Sequence, residues 1–271
     1  MDIFDTHFHF SGEETPEEYV SKIREDLSVS SSAALLPAPE KLHLCAVGGS
    51  MAESLNSQRF ADTTPDSVFA VGIHPHNAEE YTGDTSSFDI FLRDKKLAAV
   101  GELGLDYFYD FCDRGQQQIV FKAFLDFALK NQLPAIVHLR DKDDSFQAYD
   151  DALALLTPFA ASGGRFVVHC YTGGVEYLPK FAALGAWFGV TGMATFKKSE
   201  NIRTQLPLIP KEKLLIETDS PYLAPVPFRG KGNTPGFLPL VLRVVAETLD
   251  MGVEELAALT TANAKRFFAR G

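Results

Sequence analysis

Residues 3–10 read IFDTHFHF, a short apolar segment that ends in two histidines separated by one residue. Side chains at alternate positions of a β-strand point to the same face, so His7 and His9 can share one binding partner. A His-x-His pair is by itself a weak indication of metal binding, because histidine serves many roles. The meaning of the pair therefore depends on what the rest of the chain places beside it.

Seven more short apolar segments are spread evenly along the chain, at 42–49, 68–75, 97–104, 135–140, 165–173, 186–192 and 214–221. Helical patterns lie between or after them, at 15–26, 114–132, 143–159, 234–252 and 253–268. Apolar strands that alternate with amphipathic helices predict an α/β fold with a parallel sheet. Eight strands fit one closed (β/α)₈ TIM barrel of about 250 residues, with the active site at the C-terminal ends of the strands. An open doubly wound sheet is the alternative, but no Gly-rich phosphate fingerprint follows the first strand.

Two segments carry more specific expectations. The apolar residues near helical spacing in 114–132 are Ile119, Phe121, Phe124, Leu125 and Ala128. Their spacing predicts one apolar helix face. The stretch 28–40, which contains several Ser and Pro residues and few charges, predicts an irregular connection.

The chain has 271 residues, of which 45% are hydrophobic and 23% charged, and this composition suits a single globular domain over residues 1–271. A net charge of −11 argues against a broad basic face for nucleic acid, although a local basic cleft is compatible with it. Three widely spaced cysteines are typical of reduced thiols in a cytosolic protein. No signal-peptide pattern and no apolar stretch of about 20 residues is present, so we expect a cytoplasmic protein without a membrane partner.

Polar residues collect where the predicted strands end. They are His7, His9, His74, His76, Glu102, His138, Arg140, His169, Glu217 and Asp219. Six of the seven histidines belong to these motifs, and only His43 lies inside a predicted strand. Because the C-terminal strand ends of a TIM barrel form one face, we expect these side chains to meet there.

Four imidazoles and two carboxylates of this set suffice for two divalent metal ions with one bridging carboxylate. The predicted ligands are His7, His9, Glu102, His138, His169 and Asp219. A two-metal site activates water and holds the oxygens of an in-line displacement at phosphorus, and it equally polarises an amide or ester carbonyl. Pro75 makes a rigid turn between His74 and His76, so His76 is expected to cap the next helix or to touch substrate.

The motifs together resemble those of the TatD family of metal-dependent deoxyribonucleases and hydrolases, within the wider amidohydrolase-like barrels. They are DTHFHF (5–10), VGIHPH (71–76), VGELGLDY (100–107), HLRD (138–141), HCYTGG (169–174), LLIETDSPYLAP (214–225), RGKGNTP (229–235) and NAKRFF (263–268). Eight motifs in the family's order span nearly the whole chain. The fourth strand ends with Glu102 and offers no Lys, which favours this branch over urease-like or phosphotriesterase-like enzymes.

The resemblance implies a cytosolic deoxyribonuclease of the 3′→5′ exonuclease type that requires divalent metal. It implies that His7, His9, Glu102 and Asp219 hold one ion and that Glu102, His138 and His169 hold the second. Glu102 and Asp219 are then the catalytic carboxylates, and Asp219 orients or deprotonates the attacking water. Mixed imidazole and carboxylate ligands suit Zn²⁺ or Mn²⁺, while phosphate substrates often bring Mg²⁺.

Three residues of these motifs carry separate expectations. Phe8 stands where many relatives have Cys, and it is expected to point away from the metals. Thr234 stands where many relatives have Glu, which removes a charge near the expected substrate side. Asp5 shares a strand face with His7, where it either orients a ligand or satisfies backbone donors.

Substrate contacts are predicted at the same barrel face. Arg140, Arg229 and Lys231 are candidates for phosphate oxygens, Tyr107 and Tyr222 for base stacking, and His76 for a further substrate contact. Since the chain is acidic, we expect it to capture single-stranded DNA or DNA ends rather than to bind duplex tightly. No obligate protein partner is inferred.

Two alternatives remain open from the sequence. The same ligands also support hydrolysis of a small amide, lactone or aminoacyl ester, because a fold does not choose its substrate. A non-catalytic scaffold with a structural metal is the other alternative, although structural sites usually lack open coordination positions.

Overall fold

The computed structural model describes residues 1–109, 111–143 and 145–270. Within these ranges the chain forms eight parallel strands in one sheet, in chain order. The strands are Asp2–Phe8 (β1), Lys41–Val47 (β2), Ser67–Val71 (β3), Leu97–Asp106 (β4), Ala135–Arg140 (β5), Phe166–Val168 (β6), Trp187–Val190 (β7) and Leu214–Ile216 (β8).

The last strand returns to the first. Asp219 N donates to His7 O at 2.9 Å, and His9 N donates to Ser220 O at 2.7 Å. A parallel bridge between Phe8 and Ser220 lies beside these bonds. The predicted (β/α)₈ barrel is therefore confirmed, and the open sheet is wrong.

Helices cover the outside of the barrel. They are Pro16–Ala33 (α1), Met51–Thr63 (α2), Arg114–Lys130 (α3), Gln147–Ala161 (α4), Gly174–Ala183 (α5), Glu200–Gln205 (α6), Leu238–Thr248 (α7) and Val253–Phe267 (α8). Two 3₁₀ helices, Pro75–Glu80 and Ser86–Phe91, form the connection from β3 to β4. Asp144, within the predicted helical segment 143–159, lies outside the described residues. None of the helices in the described ranges has both the length and the apolar character needed to cross a membrane.

The helix α3 shows how spacing selects the buried face. Phe121, Phe124, Leu125 and Ala128 are buried, as expected for positions that share one side of a helix. Ile119 is 54% exposed, so its predicted place on this face is wrong. It precedes Phe121 by two residues, which places it about 200° around the helix axis, on the solvent side.

The helix α1 corrects the expectation for 28–40. Its N-terminus has a capping box, in which Thr15 Oγ1 accepts from Glu18 N and Glu18 Oε2 accepts from Thr15 N. The helix then continues to Ala33, so the prediction is wrong for residues 28–33 and only residues 34–40 of the stretch lack helix. Buried Ser30 donates its hydroxyl to Gly236 O at 2.5 Å, which ties the serine-rich turn to the loop before α7. Ser30 thus satisfies backbone carbonyls at a helix contact, and the helix continues through the serines.

Candidate metal centre

Five strands bring six side chains together at the bottom of a cavity of about 760 Å³. We call them the floor cluster, and they are His7, His9, Glu102, His138, His169 and Asp219. Five of these side chains lie near or just past a C-terminal strand end, but the fourth strand does not end at Glu102 as predicted, because β4 continues to Asp106. The residues His9, Glu102, His138, His169 and Asp219 line the cavity, while His7 is fully buried beside them. All six predicted ligands therefore lie together at one face of the barrel.

Glu102 lies between two groups of this cluster. Its Oε2 is 3.5 Å from the Nε2 atoms of both His7 and His9. Its Oε1 is 2.8 Å from His138 Nδ1 and 2.8 Å from His169 Nε2. Asp219 Oδ1 joins the first group, at 3.6 Å from His9 Nε2 and 3.8 Å from His7 Nε2. One carboxylate thus presents a different oxygen to each of two donor groups.

The donor spacing fits divalent ions. Two atoms that each lie about 2.1 Å from one ion are about 3.0 Å apart at a right angle and about 3.4 Å apart at a tetrahedral angle. The Nε2 atoms of His7 and His9 are 3.2 Å apart. His9 Nδ1 lies 3.0 Å from Val47 O and must donate to it, so Nε2 is the ring nitrogen that faces an ion. The geometry also places three sets of donor atoms within 4.8 Å of one another: His7, His169 and Asp219; His7, His9 and Glu102; His74, Glu102 and His138.

The charges in the cluster also favour a cation. Burial alone would raise the pKa of Glu102, but the surrounding imidazoles, His169 first, hold it well below its usual value. Burial alone would lower the pKa of His9, but hydrogen bonding to Asp219 and the charge of Glu102 raise it to about 9. Burial and the neighbouring His169 lower the pKa of His7. The cluster thus holds ionised carboxylates beside imidazoles, and a divalent ion competes with protons for these donors.

Two further carboxylates orient the floor histidines from behind. Asp106 Oδ2 is 3.2 Å from His138 Nε2 and 2.9 Å from His76 Nε2. Glu217 Oε1 is 3.4 Å from His169 Nδ1 and accepts from Cys170 N at 2.7 Å. Glu217 was among the polar residues noted at the strand ends but was not assigned this role, and Asp106 was not singled out by the sequence. A carboxylate behind a ligating histidine fixes the tautomer that leaves the other ring nitrogen free.

Asp5 satisfies backbone donors, one of the two roles expected for it. Its Oδ1 accepts from Thr218 N at 2.9 Å and from His7 N at 3.3 Å. Its Oδ2 accepts from the Thr218 hydroxyl at 2.5 Å, and burial raises the pKa of Asp5 to about 8. Phe8 points away from the cluster, as predicted, and packs against Phe60 with ring centroids 5.2 Å apart.

His74 lies closer to the donors than the sequence indicated. Its Nε2 is 3.8 Å from Glu102 Oε1, and its ring centroid is 4.6 Å from that of His138. Its Nδ1 accepts from His76 N at 3.2 Å, because His74 caps the 3₁₀ helix that begins at Pro75. A ring whose Nδ1 accepts carries its proton on Nε2, and so His74 presents an N–H to the cavity. The His-Pro-His sequence signals the turn, but only the cap geometry shows which nitrogen faces inward.

Three of the predicted substrate contacts line the cavity: His76, Arg140 and Tyr222. The Arg140 guanidinium lies 4.1 Å from the ring centroid of Phe108 and 4.8 Å from that of Tyr109. Tyr222 is exposed, and its ring centroid is 6.1 Å from that of His9. These positions are compatible with contact to a bound substrate.

The other three predicted contacts are not among the described residues that line the cavity. Tyr107 is fully buried, and its hydroxyl donates to Asp151 at 2.9 Å, on the helical side of the barrel wall. The guanidinium of Arg229 lies 4.3 Å from the Phe196 ring centroid. Lys231 Nζ lies 5.6 Å from the Phe228 ring centroid. Arg229 thus covers a ring on the loop after β7, and Lys231 covers one on the loop after β8.

Thr234 is also placed away from the cavity. It is buried, and its hydroxyl donates to Asp26 Oδ2 on α1 at 2.7 Å. The expected loss of charge near substrate is therefore wrong for this position, because the side chain faces α1. The neighbouring Asn233, which the sequence did not single out, holds the loop that carries Asp219. Its Nδ2 donates to Thr218 O and to Tyr222 O.

Comparison with known proteins is consistent with this geometry. The family model described as TatD related DNase matches residues 4–269. A protein of Citrobacter rodentium named 3′-5′ ssDNA/RNA exonuclease TatD is 35% identical over 231 residues, which cover 83% of this chain and 86% of that protein. The uncharacterized metal-dependent hydrolase YabD of Bacillus subtilis is 31% identical over 268 residues, with 98% of each chain covered.

A solved structure supports the same assignment. The crystal structure of YjjV, a TatD homolog from Escherichia coli K12, superposes with a TM-score of 0.79 and 25% identity, covering 98% of this chain and 97% of that chain. The resemblance read from eight sequence motifs is thereby confirmed, as is the prediction of a metal-dependent hydrolase. Across nearly its whole length, this chain belongs to the family of TatD-related DNases.

Proposed function

We propose that this protein is a divalent-metal-dependent exonuclease that removes nucleotides from the 3′ end of single-stranded DNA. The observation that carries the proposal is the position of Glu102, which presents one oxygen to His7 and His9 and the other to His138 and His169. Two donor groups that share a carboxylate are the arrangement that phosphoryl-transfer sites use. The name of the Citrobacter rodentium relative supports the substrate and the direction of digestion.

The floor cluster divides between two ions in this proposal. His7, His9, Glu102 and Asp219 hold one, and Glu102, His138 and His169 hold the other. Mg²⁺, Mn²⁺ and Zn²⁺ are the candidates. When bound, such ions polarise the scissile phosphate and make a water molecule acidic enough to attack at neutral pH.

The protein's own groups complete the reaction. Asp219 lies at the open side of the cluster, where it orients the attacking water and accepts its proton. His74 presents Nε2–H toward the same space and donates to a phosphate oxygen. Arg140, Tyr222 and His76 line the path by which a strand end enters. The predicted cytoplasmic location stays a prediction.

The experiment compares the wild-type chain with Asp219→Asn on single-stranded oligonucleotides labelled at the 5′ end. With each of the three metals in turn, the wild type is expected to give a ladder that shortens from the 3′ end, and EDTA to abolish it. Asp219→Asn should lower the rate by about 10²- to 10³-fold, as loss of a well-placed electrostatic group does.

The matched control is Asp89→Asn, an exposed acidic residue of the 3₁₀ helix Ser86–Phe91, which should leave the rate unchanged. Full activity of Asp219→Asn would overturn the assignment. If the wild type were inactive on DNA but active on an aminoacyl ester, lactone or amide in the same buffers, that compound would replace single-stranded DNA as the proposed substrate.

A further inference from the structure

Two aromatic side chains are exposed just beyond the end of β4. Phe111 is 63% exposed and Tyr109 is 37% exposed. Their ring centroids are 5.0 Å apart and their planes differ by 4°, the geometry of an offset stack. Exposed rings of this size contribute little to the protein's own core, so packing does not explain the pair.

The pair extends the wall of the cavity outward. Tyr109 lines the cavity beside His76, whose ring stands edge-on to both aromatics. The ring centroid of His76 is 5.6 Å from that of Tyr109 and 5.0 Å from that of Phe111, at 86° and 90°. His76 is itself bonded to Asp106, which also contacts the floor histidine His138. The aromatic surface is thus continuous with the metal centre.

A cation lies on the same surface. The Arg140 guanidinium is 4.8 Å from the Tyr109 ring centroid, and among the described residues it makes no ion pair with a carboxylate. A guanidinium above a ring keeps its N–H edge available for a phosphate. An aromatic face and a phosphate donor therefore stand side by side, as one nucleotide requires.

We propose that Tyr109 and Phe111 form a stacking subsite for one base of the substrate strand, and that Arg140 binds the phosphate next to that base. This subsite rests on the proposed function, since it uses the same strand that enters the metal centre. Stacking accepts any base, so the subsite raises the affinity for single strands without reading their sequence. Of the two tyrosines that the sequence indicated for stacking, Tyr107 and Tyr222, the subsite takes the place of the buried Tyr107.

The experiment uses oligonucleotides in which one abasic site replaces the base at each of the last five positions in turn. The wild type should show a raised KM, by about 5- to 100-fold, when the missing base is the one that stacks. For Phe111→Ala the KM of the intact strand should rise by a similar factor. The same abasic site should then have no further effect, while kcat changes little. Phe111→Tyr should restore the wild-type pattern.

The matched control is Phe146→Ala. Phe146 is 41% exposed and stacks on Tyr177 with ring centroids 5.0 Å apart. Its ring neighbours Tyr149 and Tyr177 are not among the described residues that line the cavity, whereas the ring neighbours of Phe111 are His76 and Tyr109, which are. This variant should behave as the wild type at every abasic position. If Phe111→Ala keeps the wild-type abasic pattern, the subsite is overturned even though the nuclease is active.

A second measurement separates the subsite from the reaction. In the Asp219→Asn background, an oligonucleotide with 2-aminopurine at the critical position should lose fluorescence on binding, because the base stacks. Addition of Phe111→Ala should remove that quenching, and unchanged quenching would contradict the proposal. A wild type without activity on any single strand would instead refute the proposed function itself.

Discussion

The six floor-cluster side chains extend from, or closely follow, strands of one sheet, whereas the groups at the cavity mouth lie at the last residue of a strand, as Arg140 does in β5, or on the loops beyond the strands. On the floor, Glu102 is 3% exposed and its oxygens have four imidazole neighbours within 3.5 Å. At the mouth, Arg140 and Phe111 contact mainly aromatic rings, and both are exposed. The floor is fixed by strand register, so we expect it to tolerate few substitutions. We expect the mouth to tolerate more.

The largest effect is expected from Glu102→Gln. The change removes the charge that both donor groups share, so neither retains its full set of ligands. Activity on single-stranded DNA should fall by about 10³-fold or more. The metal content measured by mass spectrometry should fall as well.

The matched control for this change is Glu254→Gln, an exposed acid in the first turn of α8. It should keep both the activity and the metal content of the wild type. If Glu102→Gln retained two ions per chain and normal turnover, the floor would not be the centre of the reaction.

A smaller effect is expected at His74, which lies between the floor and the mouth. Because its Nε2 carries the proton, we expect it to donate to substrate rather than to bind an ion. His74→Ala should lower kcat by about 10²-fold, the usual cost of one lost donor to a developing charge. The metal content should not change, and His74→Gln, which keeps an N–H donor, should recover part of the rate. Loss of an ion from His74→Ala would instead place His74 among the ligands.

The floor was predictable from sequence because parallel strands end at one edge. Once eight strands were recognised, the positions of Glu102, His138 and His169 relative to His7 followed from the barrel alone. The five predicted helical segments correspond to α1, α3, α4, α7 and α8, whereas α2, α5 and α6 were not predicted. The roles of these side chains as ligands stay a prediction until an ion is measured there.

The mouth was less predictable because turns decide where its side chains point. Asp106 Oδ1 accepts from the backbone N–H groups of Phe108 and Tyr109, at 3.0 Å and 3.1 Å. That local turn directs Tyr109 into the cavity, while Tyr107 remains buried with its hydroxyl on Asp151. Strand alternation gives no information past the strand end, so the sequence singled out the buried Tyr107 beside Tyr222 and passed over Tyr109.

The loop after β8 shows the same limit for cations. Phe228 stacks on Phe237 with ring centroids 4.7 Å apart, which anchors the loop away from the cavity. Arg229 and Lys231 follow Phe228; Arg229 lies over Phe196 on the loop after β7, and Lys231 lies near the ring of Phe228 itself. A motif rich in basic residues thus predicted phosphate contacts that the loop geometry does not supply.

The smallest effect in this series comes from a pair of arginines that the sequence treated alike. Arg140→Ala should raise KM for single-stranded DNA by about tenfold, since a charged hydrogen bond to phosphate contributes about 1.5 kcal/mol. The slope of log KM against log salt should also fall by about 0.7, the value for one phosphate contact on a single strand. Arg229→Ala, the matched control, should change KM by no more than about twofold, as surface substitutions usually do. An equal rise in KM for both variants would show that the DNA strand also follows the loop after β8. The contrast between the two arginines would then disappear.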